Sequence, residues 1–178
     1  HRFRNHDVKL QVASAENIPY PANTFDLVAA WGVLHHAADD ARCYAEVHRV
    51  LKPGGKMFLM LYRHGGARYY YQDIFRKGIL GGGLVRHGFN VREFVRSVTD
   101  KYSADSPGAP ISRYYTEPEL RGLLSHFARV DLRITGARGE LSEIPLSHLP
   151  LSDWLLSDNL RAKLLQRYGA FWVVDAIK

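Results

Sequence analysis

The chain has 178 residues, a formal net charge of +6 and a single cysteine, Cys43. This length suits one domain with one hydrophobic core, residues 1–178, and one cysteine excludes both an intramolecular disulfide and a cysteine-rich zinc site. The longest apolar run, LVAAWGVL, is too short to cross a bilayer, and HRFRNHDVKL lacks the apolar core of a signal peptide. We therefore expect a cytoplasmic protein with no membrane span.

Three apolar segments in the first third of the chain predict strands. VKLQVA at 8–13 alternates between apolar and polar residues, which indicates a half-buried strand. FDLVAAW at 25–31 and KMFLMLY at 56–62 are almost continuously apolar. Runs of that kind are typical of central parallel strands covered on both faces by helices.

A helix is predicted between the last two of these strands, from about residue 40 to residue 51. Asp39 can cap the free N–H groups of its first turn, and Asp40 lies favourably at the positive end of the helix dipole. Tyr44, Val47 and Leu51 recur at helical spacing and predict the buried face. LKPGG then predicts the end of the helix and a turn into the next strand.

Residues 63–110 form a basic insert rich in glycine and tyrosine. Between residues 63 and 101 there are eight Arg or Lys, three Asp or Glu and seven glycines, with the run Tyr69, Tyr70, Tyr71. This composition predicts a mobile, partly helical connection outside the core. A binding surface for an anionic substrate, a membrane face or nucleic acid is the alternative, although no nucleic-acid recognition motif is present and such a partner is not expected.

The remaining segments predict a second helix, two strands and a tail helix. TEPELRGLLSHF carries a capping box and an apolar face. It is followed by a strand near 130–134, a helix at about 152–167 and a last strand at 170–177. Alternation of strands with helices predicts an α/β fold with a largely parallel sheet.

The stretch VLHHAADD at 33–40 raises the question of a metal site, since two histidines and two carboxylates are ligands that zinc or iron takes. Asp39 and Asp40 already have a role at the start of the helix. Adjacent histidines rarely converge on one ion, and no second ligand cluster is visible. We therefore expect no metal here, and His35 and His36 either pack in the loop or act on a substrate.

SAENIPYPANTFDLVAAWGVLHHAADDARCYAEVHRVLKPGGKMFLMLY resembles the second half of a class I S-adenosylmethionine-dependent methyltransferase of the small-molecule type called methyltransferase type 11. FDLV, LHH and RVLKPGG occur in the family's order and spacing within residues 8–62. RYYTEPELRGLLSHF and YGAFWVVDAI are similar to the closing helix and last strand of that fold. The resemblance implies a Rossmann-like methyltransferase fold, a mostly parallel sheet with an antiparallel last strand.

The resemblance also implies a site and a reaction, methyl transfer from S-adenosylmethionine to a small-molecule acceptor. The backbone of Trp31, Gly32 and Val33 would pass along the cofactor, and Ser14 and Ala15 stand where the family has Asp-Ala beside the adenine. His36, with His35 as its neighbour, would face the acceptor and could remove its proton, because an ordinary histidine titrates near neutral pH. Candidate acceptor-binding residues in the insert are Arg68, Tyr69 and Tyr70.

The family's first strand, its glycine-rich turn and the acidic residue of its second strand should all precede Val8, and the chain shows none of them there. RHGGAR and GILGGGL fall in the insert and do not replace the turn. Relative to the family the fold is N-terminally incomplete, so catalysis by this chain alone is doubtful. The alternative is a non-catalytic, self-associating or binding module, and we expect a homodimer that covers the exposed strand 25–31 near Leu27, Val28 and Trp31.

Overall fold

The computed structural model describes residues 9–66, 68–99, 111–136 and 157–178. The strands in these ranges are β1 (Phe25–Trp31), β2 (Leu51–Arg63), β3 (Tyr114–Tyr115), β4 (Arg129–Thr135) and β5 (Phe171–Ile177). The helices are α1 (Asp40–Val50), α2 (Gly83–Arg86), α3 (Val91–Val98), α4 (Glu117–Leu123) and α5 (Asp158–Tyr168), together with a 3₁₀ turn at Leu34–His36 and a π-type helix at Arg68–Leu80.

The strands form one mixed sheet in the order β1-β2-β5-β4. β1 is parallel to β2, whereas β5 is antiparallel to both of its neighbours. β1, β2 and β4 therefore share one direction, and the last strand of the chain runs against them. The short β3 adds in parallel to the end of β2. This topology confirms the predicted α/β sheet, mostly parallel with an antiparallel last strand.

The first helix is confirmed, with its predicted cap. The Asp39 side chain accepts a hydrogen bond from the Arg42 N–H at 3.0 Å, and Tyr44 and Val47 are buried against the sheet. The predicted turn at LKPGG is wrong, because Leu51 already pairs with Phe25 as the first residue of β2. A register shift follows before Leu27 pairs with Lys56, so these residues form an irregular part of the strand.

The predicted strand at 8–13 is wrong. Residues 9–13 adopt no strand, residue 8 lies outside the described part of the chain, and Leu10 and Val12 are almost completely exposed. Alternating apolar and polar residues fit a strand with one buried face. A strand forms, however, only where a neighbouring strand satisfies the hydrogen bonds of its backbone. Within the described ranges, the 9–13 segment has no such neighbour.

The strand predicted at 25–31 is confirmed as β1, but it is not covered on both faces. Leu27 and Trp31 are each 58% exposed, and Ala29 between them is exposed too. Val28 and Ala30, on the other face, pack against the main core. In the part of the chain that is described, β1 pairs with β2 alone.

The main core lies on one face of the sheet, beneath α1 and α4. The Phe127 ring, just past α4, meets His48 of α1 edge to face at 5.1 Å. The capping box predicted at α4 is present, since Glu119 Oε2 accepts from the Thr116 N–H at 2.7 Å. β4 and β5 are confirmed, and the tail helix begins at Asp158, whereas its predicted first turn at 152–156 lies outside the described residues. No described helix has the length and apolar character needed to cross a membrane.

The insert is partly helical and lies outside the main core, as predicted, but its described residues also form a small core of their own. Tyr69, Leu84, Phe94 and Val95 are buried together. Glycines make this packing possible: a Cβ on Gly83 would lie 2.3 Å from the Phe94 ring. From the sequence, the glycine run at 81–83 suggests a flexible segment. In the structure, its last member, Gly83, makes space for the Phe94 ring.

Candidate functional site

Three predicted cofactor residues lie where β1 ends. Trp31 stacks on Phe58 with ring centroids 5.7 Å apart, and Val33 is exposed. The Gly32 N–H donates to the Met60 carbonyl at 3.1 Å, and its φ of +71° is a conformation that favours glycine. Open α/β sheets bind their ligands beyond the carboxyl ends of the parallel strands, which is where these residues lie.

The predicted adenine-side residues occupy a tight turn. The Ser14 carbonyl accepts from the Asn17 N–H at 3.1 Å, and the Ser14 hydroxyl accepts from the Glu16 N–H at the same distance. Ser14 is exposed, while Ala15 packs against the main core. The turn therefore exposes the Ser14 hydroxyl to solvent, while Ala15 holds the turn against the core.

Two glutamates bind the segment around this turn to α1. Glu16 Oε1 accepts from the Asp39 N–H at 3.0 Å, so the turn lies beside the loop that follows β1. Glu46 accepts from the Ile18 N–H at 2.9 Å. Hydrogen bonds from the Arg49 guanidinium lower the pKa of the Glu46 carboxyl to about 2, with a smaller contribution from the Ile18 N–H. The predicted cofactor residues Ser14 and Ala15 are thus held on the same side of α1 as the β1 loop.

The two histidines have different environments. His35 is completely buried, with its ring centroid 4.0 Å from that of His36 and 4.2 Å from that of Tyr62. His36 is half-buried, and its Nδ1 lies 2.7 Å from the Ile111 carbonyl oxygen. Donation from Nδ1–H to that carbonyl places the ring lone pair at Nε2, the arrangement that a base requires. His35 is therefore placed to support the loop, and His36 is the histidine that could act on a substrate.

The carboxylates of the His35–Asp40 stretch take part in protein hydrogen bonds. Asp39 caps α1, and Asp40 Oδ2 accepts from the Tyr115 hydroxyl at 2.8 Å. Among the described residues, no group of three or more histidine, cysteine or acidic side chains is arranged to hold a metal ion.

Arg113 is a site residue that sequence reasoning missed. Its guanidinium donates to the carbonyls of Ala37 and Ala38 at 2.5 and 2.6 Å, and its backbone N–H donates to the His35 carbonyl at 3.1 Å. It therefore fixes the loop on both sides of His36. The sequence contains no signal for this contact, because the acceptors are backbone carbonyls, which every residue has.

Two buried tyrosines, Tyr44 and Tyr115, lie beneath this loop. Burial raises the pKa of Tyr44 and of Tyr115, so both phenols remain protonated at neutral pH. The Tyr115 hydroxyl can therefore keep donating to Asp40. Burial likewise raises the pKa of the Cys43 thiol to about 11, which makes it a packing residue rather than a nucleophile.

A cavity of about 830 Å³ opens between the insert and the segment 111–115. Its volume falls within the range of small-molecule sites. It is lined by Asp40, His64, Tyr69, Val91, Arg92, Val95, Ile111, Ser112, Arg113, Tyr114, Tyr115, Glu119 and Leu123.

Of the three insert residues predicted to bind the acceptor, Tyr69 lines this cavity. Tyr70 is exposed next to it, with the two rings 5.2 Å apart, and Arg68 is half-buried and lies outside the lining. His36 adjoins the cavity through its contact with Ile111, which is a lining residue. Tyr69 is thus the one of the three that lines the cavity, and its role toward an acceptor stays a prediction, while Arg92 also lines the cavity without a signal in the sequence.

Comparison with known proteins gives a consistent result for the first third of the chain. Residues 1–59 match the family described as "Methyltransferase domain". The chain is 37% identical over 54 residues to the ubiquinone/menaquinone biosynthesis C-methyltransferase UbiE of a Marinomonas species, covering 30% of this chain and 22% of the relative. With UbiE of Rickettsia akari it shares 36% over 74 residues, covering 42% and 29%. The matches to these curated relatives thus span less than a third of their length.

Solved structures extend the likeness over nearly the whole chain. A SAM-dependent methyltransferase from Methanosarcina mazei aligns with a TM-score of 0.56 at 19% identity, over 94% of this chain and 66% of that one. Phosphoethanolamine N-methyltransferase 2 of Haemonchus contortus aligns with a TM-score of 0.51 at 14% identity, over 94% and 36%. At these identities the comparison establishes the Rossmann-like methyltransferase fold.

Proposed function

We propose that this chain, whose residues 1–59 match a methyltransferase domain, forms the acceptor-side part of a class I S-adenosylmethionine-dependent enzyme that methylates a small molecule. The observation that carries the proposal is the cavity of about 830 Å³ beside the loop of His36. His64, the first residue after β2, lines it, so the cavity opens at the carboxyl end of a parallel strand, where this class of sheet binds ligands. Aromatic walls from Tyr69 and Tyr114, together with the polar groups of Arg92 and Glu119, suit an acceptor with an apolar body and a polar end.

The residues present fit one side of S-adenosylmethionine. The Ser14 hydroxyl, whose oxygen accepts from Glu16, keeps its O–H to donate to a ring nitrogen of an adenine. At the end of β1, the exposed side chains of Trp31 and Val33 flank Gly32 and offer backbone and an indole face to the cofactor. Among the described residues, no glycine-rich turn precedes β1 to receive the methionine carboxylate, and Gly65 and Gly66, which follow β2, lead into the insert. When bound, the cofactor supplies an electrophilic methyl group.

His36 is the proposed general base. Its Nδ1–H, directed to the Ile111 carbonyl, orients the ring, and Nε2 would take the proton that the acceptor loses when it is methylated. Arg113 acts as a positioning residue, because its hydrogen bonds to the Ala37 and Ala38 carbonyls fix the loop next to His36. Transfer depends mainly on holding the acceptor in line with the methyl carbon, so a fixed loop contributes directly to rate.

Titration calorimetry with S-adenosylmethionine tests the proposed function. The complete product of the gene is expected to bind it with a micromolar dissociation constant, about −8 kcal/mol. This chain alone is expected to bind weakly or not at all, because it supplies one side of the site. No binding by the complete product would contradict the proposed function. Micromolar binding by this chain alone would show that another arrangement completes the pocket.

A second candidate function is self-association, and the exposed face of β1 favours it. Leu27 and Trp31 are each 58% exposed on a strand whose second edge is unpaired in the described ranges. A strand edge of this kind recruits further strands, from a second copy or from another segment. Val28 points to the core instead, so it contributes less than predicted to such an interface.

Light scattering at low micromolar concentration tests self-association. We expect this chain to form a dimer, and the Leu27→Lys variant to be monomeric because a charge on the apolar face opposes docking. Leu160→Lys, at a residue of α5 that is also exposed, is the matched control and should leave the dimer unchanged. A stable, folded monomer of the unaltered chain would refute this second function.

A further inference from the structure

The insert exposes an apolar surface on elements that also bury a core. We define the insert apolar surface as Phe75, Ile79, Leu80, Val85 and Phe89, which are 44%, 57%, 69%, 66% and 71% exposed. Single exposed apolar residues are ordinary on any protein. Five of them between residues 75 and 89 need a reason, since concentrated apolar exposure usually marks a contact surface.

The helix Arg68–Leu80 presents part of this surface as one face. Tyr71 stacks on Phe75 with ring centroids 6.0 Å apart and planes within 24°, and Ile79 follows Phe75 by one helical turn. A tight glycine turn then leads into α2, where Leu84 faces the buried cluster and Val85 faces outward. The two elements therefore carry apolar side chains both toward the buried cluster and toward solvent.

Phe89 is the most exposed member, and its backbone is strained. Its φ is +61°, a conformation that is unfavourable for an aromatic residue. It precedes Asn90, the cap of α3, a position from which an apolar residue often packs onto the residue five places later. That residue, Phe94, is buried and meets His87 instead, with ring centroids 5.7 Å apart, while Phe89 remains in solvent. Strain of this kind is concentrated at sites that contact ligands.

Exposed cations accompany these apolar residues. Arg76 and Arg86 lie next in sequence to Phe75 and Val85, and both are exposed. Asp73 is buried and paired with Lys77 at 2.8 Å, and Glu93 is the other acidic residue between residues 63 and 99, so the arginines of this segment outnumber its acids. Exposed apolar side chains with exposed arginines next to them in the chain are complementary to a surface that is negatively charged outside and apolar inside.

We infer that the insert apolar surface docks onto an anionic lipid bilayer. The exposed apolar side chains enter the boundary between headgroups and acyl chains, and Arg76 and Arg86 pair with lipid phosphates. The protein lies on the membrane through the insert rather than crossing it. This inference is independent of the proposed methyl transfer, because none of the five apolar residues lines the cavity.

Co-sedimentation of the full chain with phosphatidylglycerol vesicles tests the inference, with phosphatidylcholine vesicles as the neutral comparison. We expect binding to the anionic vesicles and about a tenfold weaker affinity for Phe89→Asn, which removes an aromatic side chain that the bilayer would bury. Asparagine tolerates a positive φ, so this variant should keep the fold and at least the original Tm. Ile79→Ser gives a second apolar truncation, and Leu160→Ser on α5 is the matched control that should bind like the unaltered chain.

The charged half of the surface has its own variants. Arg76→Gln and Arg86→Gln are each expected to weaken binding to anionic vesicles about fivefold. The inference is overturned if the chain ignores anionic vesicles, or if only the arginine variants reduce binding and the apolar ones do not. It is equally overturned if Phe89→Asn and Ile79→Ser dissolve an oligomer in the absence of lipid, since the surface would then be a protein interface.

Discussion

Replacing Gly169 with alanine is expected to lower the free energy of unfolding by about 3 kcal/mol, because the added methyl group has no space. A Cβ at this position would lie 2.2 Å from the Thr135 carbonyl oxygen and 2.4 Å from that of Leu165. Both contacts are with backbone, which cannot rotate away as a side chain can. Relief would require moving the end of α5 away from β4.

The backbone at Gly169 and Ala170 also forms hydrogen bonds with the end of β2. The Gly169 carbonyl accepts from the Arg63 guanidinium at 3.1 Å, and the Arg63 N–H donates to the Ala170 carbonyl at 2.7 Å. A displaced Gly169 would therefore loosen the strand that leads into the insert.

Urea unfolding provides the measurement, and Gly122→Ala provides the matched control. A Cβ on Gly122, inside α4, meets nothing within 4 Å, so this substitution should stabilise the fold by up to about 1 kcal/mol. Equal stability of the two variants would show that α5 does not pack against β4 as closely as described.

Replacing His36 with alanine is expected to reduce the rate of methyl transfer by about 10²- to 10⁴-fold, the usual contribution of a general base. The assay uses the complete gene product, S-adenosylmethionine with a labelled methyl group, and transfer of label into a small-molecule fraction. His126→Ala is the control, because this exposed histidine follows α4 and lies outside the cavity lining.

A second substitution separates the two possible roles of His36. In His36→Asn the side-chain amide can still donate to the Ile111 carbonyl, as Nδ1 does, but it cannot accept a proton at neutral pH. Loss of transfer in both variants supports the base. Retained transfer in His36→Asn alone would mean that His36 only orients the loop, and retained transfer in both would remove it from the mechanism.

Local signals made much of the sheet and its helices predictable. Asp39, the apolar spacing of Tyr44 and Val47, and the Thr116–Glu119 capping box each act within a few residues, so α1 and α4 were identifiable without a structure. The segment 9–13 fails for the opposite reason, because strand formation depends on a partner elsewhere. The core of the insert could not be predicted, because Gly83 leaves space for the ring of Phe94, which lies eleven residues further along the chain.

The candidate site divides in the same way. Trp31, Gly32 and Val33 could be selected because a family resemblance carries information that spacing alone does not. His36 to Ile111 and Arg113 to Ala37 are contacts across 75 and 76 residues to backbone carbonyls, and they leave no trace in side-chain chemistry. The burial of His35 likewise depends on Tyr62 of β2, not on its own neighbours in sequence.

We propose above all that the end of β1 forms the cofactor side of a methyl-transfer site. The most direct test of this proposal is a titration of the complete, ¹⁵N-labelled gene product with S-adenosylhomocysteine, followed by backbone amide shifts. We expect the largest amide chemical-shift changes at Gly32 and Val33, with smaller ones at Ser14 and Ala15. Binding that leaves these four amides unchanged, or no binding at all, would contradict it.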